Sequence, residues 1–150
     1  MSYNPNFRGS AAKGSSRQTQ TGYTNATGST ITAASPVYSN SSGIGPLDVT
    51  NVTKVETFAG LVAADLPASA HGMVVSDGRV ENIPLGLGFA LGDAIWAGTT
   101  PGSLTNVKPD YSAPGWSAGM WVIFVGVVVV NEFDPLKQDI QLFKQKVGRL

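Results

Sequence analysis

The chain contains no cysteine. That excludes a disulfide framework and thiolate chemistry. It contains a single histidine, His71, which argues against a histidine-based metal centre. Charged residues make up 13 % of the 150, about half the usual share. So low a figure suits a turn-rich β protein, or a surface largely covered by partners. No apolar run approaches the roughly 20 residues of a membrane helix. The first residues lack the apolar core of a signal peptide, so the three sequons at Asn25, Asn40 and Asn51 read as a consequence of composition. The formal charge is zero, and a general nucleic-acid binder would be basic.

What is present begins with Met120 to Val130, MWVIFVGVVVV. Apolar residues fill odd and even positions alike, which predicts a central strand buried on both faces. Gly126 interrupts it and marks a bulge or the close approach of another backbone. The charges are unevenly spread. Residues 1–35 hold Arg8, Lys13 and Arg17 and no acid; residues 36–135 hold three bases against nine acids; residues 136–150 hold four bases against Asp139. Basic ends flank an acidic body, so a monomer could fold its ends back, or one subunit's end could join the next subunit's body.

Residues 1–30 are rich in Ser, Thr, Gly, Asn and Gln, and cannot bury enough apolar surface to offset their ordering entropy alone. They are expected to form an extended arm. Its isolated aromatics Tyr3, Phe7 and Tyr23, with Arg8 and Arg17, are candidate partner contacts, as are Arg149 and Leu150 at the basic end. The competing reading is a tail lying on its own domain.

Residues 31–133 read as a β domain of short runs split by turn signals. Pro36 to Ser39 starts a strand and Asn40 to Gly43 turns. Leu47 to Val55 alternates apolar and polar residues. Glu56 to Ala63 is a strand bent at Gly60. Asp77-Gly78 between Met73–Ser76 and Arg79–Ile83 predicts a type I′ hairpin. A short strand, Ala94 to Ala97, precedes a type II turn at Thr100-Pro101-Gly102, with a strand from Leu104 to Val107 after it. Residues 134–150 are ambiguous. Asp134-Pro135 suits a helix start and Leu136, Ile140, Phe143 and Val147 share a helical face, so helix is favoured. Ile140 and Leu142 also alternate as a strand would.

Motif matches weigh little. Gly115-Trp-Ser117-Ala-Gly119 spells a nucleophile elbow, but a strand follows Ser117 and His71 lies upstream. Gly9 to Ser16 is spaced like a phosphate loop without its lysine. Gly86 to Gly92 is one residue too long for a dinucleotide fingerprint. Asp77 and Glu81 read as a solvated face. Trp96, Trp116 and Trp121 could stack on sugars, but core packing is the favoured reading. No catalytic residue, cofactor site or metal site is expected, and the chain is not read as an enzyme.

A set of turn and strand signatures carries a resemblance. It comprises Gly22 to Ile31 followed by Ser35-Pro36-Val37, then Val75-Ser-Asp-Gly-Arg-Val-Glu-Asn-Ile-Pro84. Leu91-Gly-Asp-Ala-Ile-Trp96, Pro101-Gly-Ser-Leu-Thr-Asn-Val-Lys-Pro-Asp110 and Phe124-Val-Gly-Val complete it. Over residues 22–130 the chain resembles small β-rich capsid decoration, or cement, proteins of tailed bacteriophage particles. The resemblance implies a mainly β fold, a compact barrel or sandwich of jelly-roll type. It implies a homotrimer on the capsid surface of the virion, made in the host cytoplasm and bound to the major capsid protein. It implies no cofactor, no direct nucleic acid contact and no membrane. A neck or tail-fibre attachment protein is the alternative, and a carbohydrate-binding module a more distant one.

Overall fold

The computed structural model describes residues 18–84 and 87–150. The fold is mainly β, a curled antiparallel sheet that forms a half-barrel. Its strands are β1 (Gln18–Thr24), β2 (Pro36–Asn40), β3 (Gly43–Pro46), β4 (Phe58–Val62), β5 (His71–Pro84), β6 (Ala94–Ala97), β7 (Leu104–Thr105), β8 (Trp121–Val130) and β9 (Lys137–Arg149). They are ordered β3-β2-β4-β5-β9-β8-β6-β7, with β1 added along β5. One short helix, α1 (Val52–Glu56), lies between β3 and β4.

The apolar run forms β8, between β9 and β6. Gly126 serves both functions expected of it. The register with β9 shifts between Phe124 and Gly126, and a Cβ at Gly126 would collide with the Gln141 carbonyl oxygen and crowd Ile140. The bend expected at Gly60 is also present, with φ at +142° beside a register shift in the β2–β4 pair. Thr100 to Ser103 closes the expected turn, with the Ser103 N–H donating to the Thr100 carbonyl and Gly102 at φ +78°.

Three expectations are corrected. Asp77-Gly78 makes no hairpin. β5 runs straight through it, pairing with β4 before Gly78, with β1 up to and including Gly78, and with β9 after it. A type I′ turn needs positive φ at both central residues, and only Gly78 has it, at +91°. Ladder partners on separate strands replace the local pairing, and the glycine bends one long strand instead of reversing it.

The favoured C-terminal helix is the strand β9. Asp134 does cap, but it caps a turn: its Oδ1 accepts the Leu136 N–H at 2.9 Å. The same carboxylate chemistry serves helix starts and tight turns. Pairing with β8 along almost its whole length then decides the matter.

The alternation from Leu47 to Val55 is not a strand. Asp48 Oδ1 accepts from the Thr50 N–H and hydroxyl, and Asn51 caps α1 by accepting the Lys54 N–H at 3.2 Å. Leu47, Val49 and Val55 still reach the core. The strand expected over Leu104 to Val107 is shorter, ending at Thr105.

The main core gathers on the inner side of the sheet: Leu61, Val75, Val80, Ile83, Ile95, Ile123, Val125, Val128, Ile140 and Leu142, with Leu47, Val55 and Trp116 from the connections. A second, smaller core lies on the other side of β2, β4 and the first part of β5. It joins Val37, Ile44, Ala59, Val62 and Val74 to Ile31 and Leu66.

Candidate functional site

The second core exists because two connections cross the outside of the sheet. Residues 25–34 and 64–70 are tied together by Asn25, which is buried. Its Nδ2 donates to the carbonyls of Ser29, Leu66 and Pro67 at 2.8, 3.0 and 3.2 Å, and its Oδ1 accepts from Thr27. Ile31 and Leu66 exchange both backbone hydrogen bonds beneath it. The Asn25 sequon therefore encodes a structural clasp.

The other half of the sheet has no such cover among the described residues. Side chains alternate across a strand, so each neighbour of a core residue faces outward. Trp96 lies between Ile95 and Ala97, Phe124 between Ile123 and Val125, and Phe143 follows Leu142. The three outward rings meet. Trp96 and Phe124 are tilted with centroids 5.2 Å apart, and Phe124 and Phe143 stack at 5.6 Å. Phe143 is 57 % exposed, and Val147 is exposed on the same strand. Val127 and Val129 extend this face and are only partly buried. The outcome is a row of three aromatic rings across β6, β8 and β9. Such a contiguous outward patch characterises interaction surfaces.

At the edge of this region Asp139 is buried and paired with Arg79 at 3.5 Å. Its Oδ1 also accepts from the Asn82 N–H and from Asn131 Nδ2. Asn131 in turn accepts the Phe133 and Asp134 N–H groups. Each member is hydrogen-bonded, so the cluster stiffens the β8–β9 turn and leaves no carboxylate aimed at open space.

The expected contact residues fall into two groups. Tyr3, Phe7, Arg8 and Arg17 lie outside the described residues, as does Gly9 to Ser16. Tyr23, Arg149 and Leu150 contact their own domain. Tyr23 packs on the second core, and β1 pairs with β5 from Gln18 onward. Residues 18–30, expected within an arm held by a neighbour, thus lie along their own sheet. The Arg149 guanidinium sits over the Trp121 ring at 5.2 Å, and the Leu150 N–H donates to Met120. These contacts fasten the chain end to the start of β8.

Ser117 sits in a turn whose carbonyl accepts the Met120 N–H, and His71 opens β5 beside Thr24. Trp116 is buried, and Trp96 and Trp121 are partly buried, so none is an open sugar platform. Among the described residues no group of three or more His, Asp or Glu is placed to hold a metal ion, and no helix is long and apolar enough to cross a membrane. Sequence reasoning missed the aromatic row because its members sit on three strands. The available signal was the pairing of apolar neighbours at Trp96, Phe124 and Phe143, which a single buried run concealed. Comparison with family models, curated proteins and solved structures finds no match to this chain.

Proposed function

We propose that this chain is a structural protein of a tailed-bacteriophage virion: a capsid decoration protein, self-associated as a homotrimer, that binds the assembled head at subunit junctions. The observation that carries this reading is the outward row of Trp96, Phe124 and Phe143 on the antiparallel sheet. Aromatic anchors on a fixed surface are what a contact-making protein needs. The resemblance over residues 22–130 supplies the particle and the major capsid protein as partner. The proposal rests on the sheet face and not on residues 18–30, which their own domain holds.

The mechanism is passive. A protein that binds only the assembled shell stabilises it by mass action, without bond making or a cofactor. The test is to strip the protein from heads and then restore it. Stripped heads should rupture at lower temperature and under milder osmotic shock. Parent protein should restore them, and a Phe143→Asp variant should not. Heads that resist equally well without the protein would overturn the reading.

A further inference from the structure

An open cavity of about 300 Å³ lies between β2 and α1. Tyr38, Ser39 and Asn40 line it from β2, and Asn51, Thr53, Lys54 and Thr57 from α1 and its flanks. Carbon atoms form most of its wall. Among the described residues that line it, Lys54 alone is charged. Tyr38 is partly buried and packs against the main core. Its ring also lies against Gly45, where a Cβ would come within 2.8 Å of Cε1.

The bonds these side chains already make decide which of their atoms remain for a ligand. Asn40 Oδ1 accepts the Ser42 N–H at 2.8 Å, and Asn51 Oδ1 accepts the Lys54 N–H at 3.2 Å. Each amide therefore commits its oxygen to the backbone. Its Nδ2 carries two N–H donors with no partner among the described residues. Lys54 Nζ sits over the Tyr38 ring, 4.8 Å from the centroid. That contact holds the ammonium in place through the ring face and leaves its N–H donors unshared. Lys54 makes no ion pair among the described residues. Asp48, whose carboxylate accepts from Thr50, feels its charge from outside ion-pair contact. The Thr57 hydroxyl donates to the Thr53 and Lys54 carbonyls, so its oxygen can only accept.

This inventory selects a ligand class. Donors outnumber acceptors, and the one charge is positive, so the ligand carries an oxyanion. A carboxylate alone would leave most of the cavity unfilled, since about 300 Å³ is already the range of small-molecule sites. Stacking is disfavoured, because Gly45 and the ammonium occupy the Tyr38 ring. The Ser39, Thr53 and Tyr38 hydroxyls can each donate or accept, which matches hydroxyl groups on the ligand. We infer that this cavity binds a carboxylated sugar, a uronic acid residue, with its carboxylate at Lys54, Asn40 and Asn51 and its hydroxyls at Ser39, Thr53 and Thr57. The site is distinct from the outward aromatic row, and the inference does not depend on the capsid reading.

Amide chemical-shift titration of the full chain tests it, with four probes: methyl glucuronide, methyl glucoside, sodium acetate and a capped glutamate peptide. The glucuronide should shift residues 38–40 and 51–57 saturably and leave β8 unmoved. The other three should bind about 10-fold more weakly or worse, the order of a lost charge-assisted hydrogen bond. Lys54→Gln should weaken the glucuronide by a similar factor. Asn51→Asp and Asn40→Asp each keep the oxygen that accepts from the backbone and replace the amide donors with negative charge, so each should weaken it as well. Circular dichroism checks that the variants fold; should Lys54→Gln not fold, the two Asn→Asp variants decide alone. No saturable shift with the glucuronide, or variants that bind it as the parent does, would overturn the inference. Glucoside or acetate binding equally well would overturn it too, and tighter binding of the peptide would assign the cavity to a protein partner instead. None of these results bears on whether stripped heads lose stability, which tests the capsid reading separately.

Discussion

The two halves of the sheet treat their outer faces differently. Over β2, β4 and the first part of β5, the chain folds its own connections across the outside. Ile31, Leu66 and Tyr23 seal Val37, Val62 and Val74 beneath them. Over β6, β8 and β9 the described residues supply no such cover, and Phe143 is exposed beside the partly buried Trp96 and Phe124. Both halves hold apolar residues on both sides. One half covers its outer side with its own connections, and the other has no such cover among the described residues.

The sharpest way to break this contrast is to compare an inner with an outer residue on one strand. Ile140 is fully buried in the main core. Ile140→Ala should cost about 2–5 kcal/mol in chemical denaturation, from lost transfer energy and the cavity left behind. Phe143→Ala, three residues on, should cost no more than about 1.5 kcal/mol, the order of one aromatic pair. Equal losses would mean that the outer row is a core in its own right.

A middle-sized effect should come from the clasp. Asn25→Ala removes three donated and two accepted hydrogen bonds at a buried site. The expected loss is about 1–3 kcal/mol. Hydrogen exchange should rise in residues 25–34 and 64–70 and stay unchanged in β8. A rise in β8 of the same size would show that the two halves are not separable.

The smallest effect concerns pH. Asp48, Asp93 and Asp110 are all held below the usual carboxylate pKa. Hydrogen bonds from the side chains of Thr50, Asn106 and Ser112 respectively are the leading causes. A depressed folded-state pKa favours the native state while the carboxylate is ionised. That contribution is full above the unfolded pKa of about 4 and is lost as pH falls through the lower folded value. All three sit in turns at the surface, Asp110 exposed and Asp48 and Asp93 partly so, so screening keeps each contribution small. A Tm series from pH 6 down to 2 should decline below about pH 4. Replacing the three by Asn should flatten the decline. A Tm that instead rose on acidification would contradict the sign.

Local chemistry made much of the β architecture readable. Val-rich β8, the Pro36 strand, the Gly60 bend, the Ala94 to Ala97 strand and the Thr100 to Ser103 turn all depend on residue-level preferences. The failures have a shared cause. Asp77-Gly78 and Asp134-Pro135 are strong local signals, and each was overridden by long-range strand partners. The candidate surface was hidden for a related reason. An apolar run such as β8 contains both an inner and an outer set, and nothing in the run tells which set meets the core.

The sequence by itself determined that this protein is mainly β, that β8 is its apolar centre, and that basic ends flank an acidic middle. Those properties reside in single side chains and their immediate neighbours. Only the tertiary structure decided that β5 passes through its turn signal, that β9 is a strand, and which face of β8 meets the main core. Each of those depends on ladder partners and covering segments distant along the chain, whose contribution exceeds the fraction of a kcal/mol that local preference supplies.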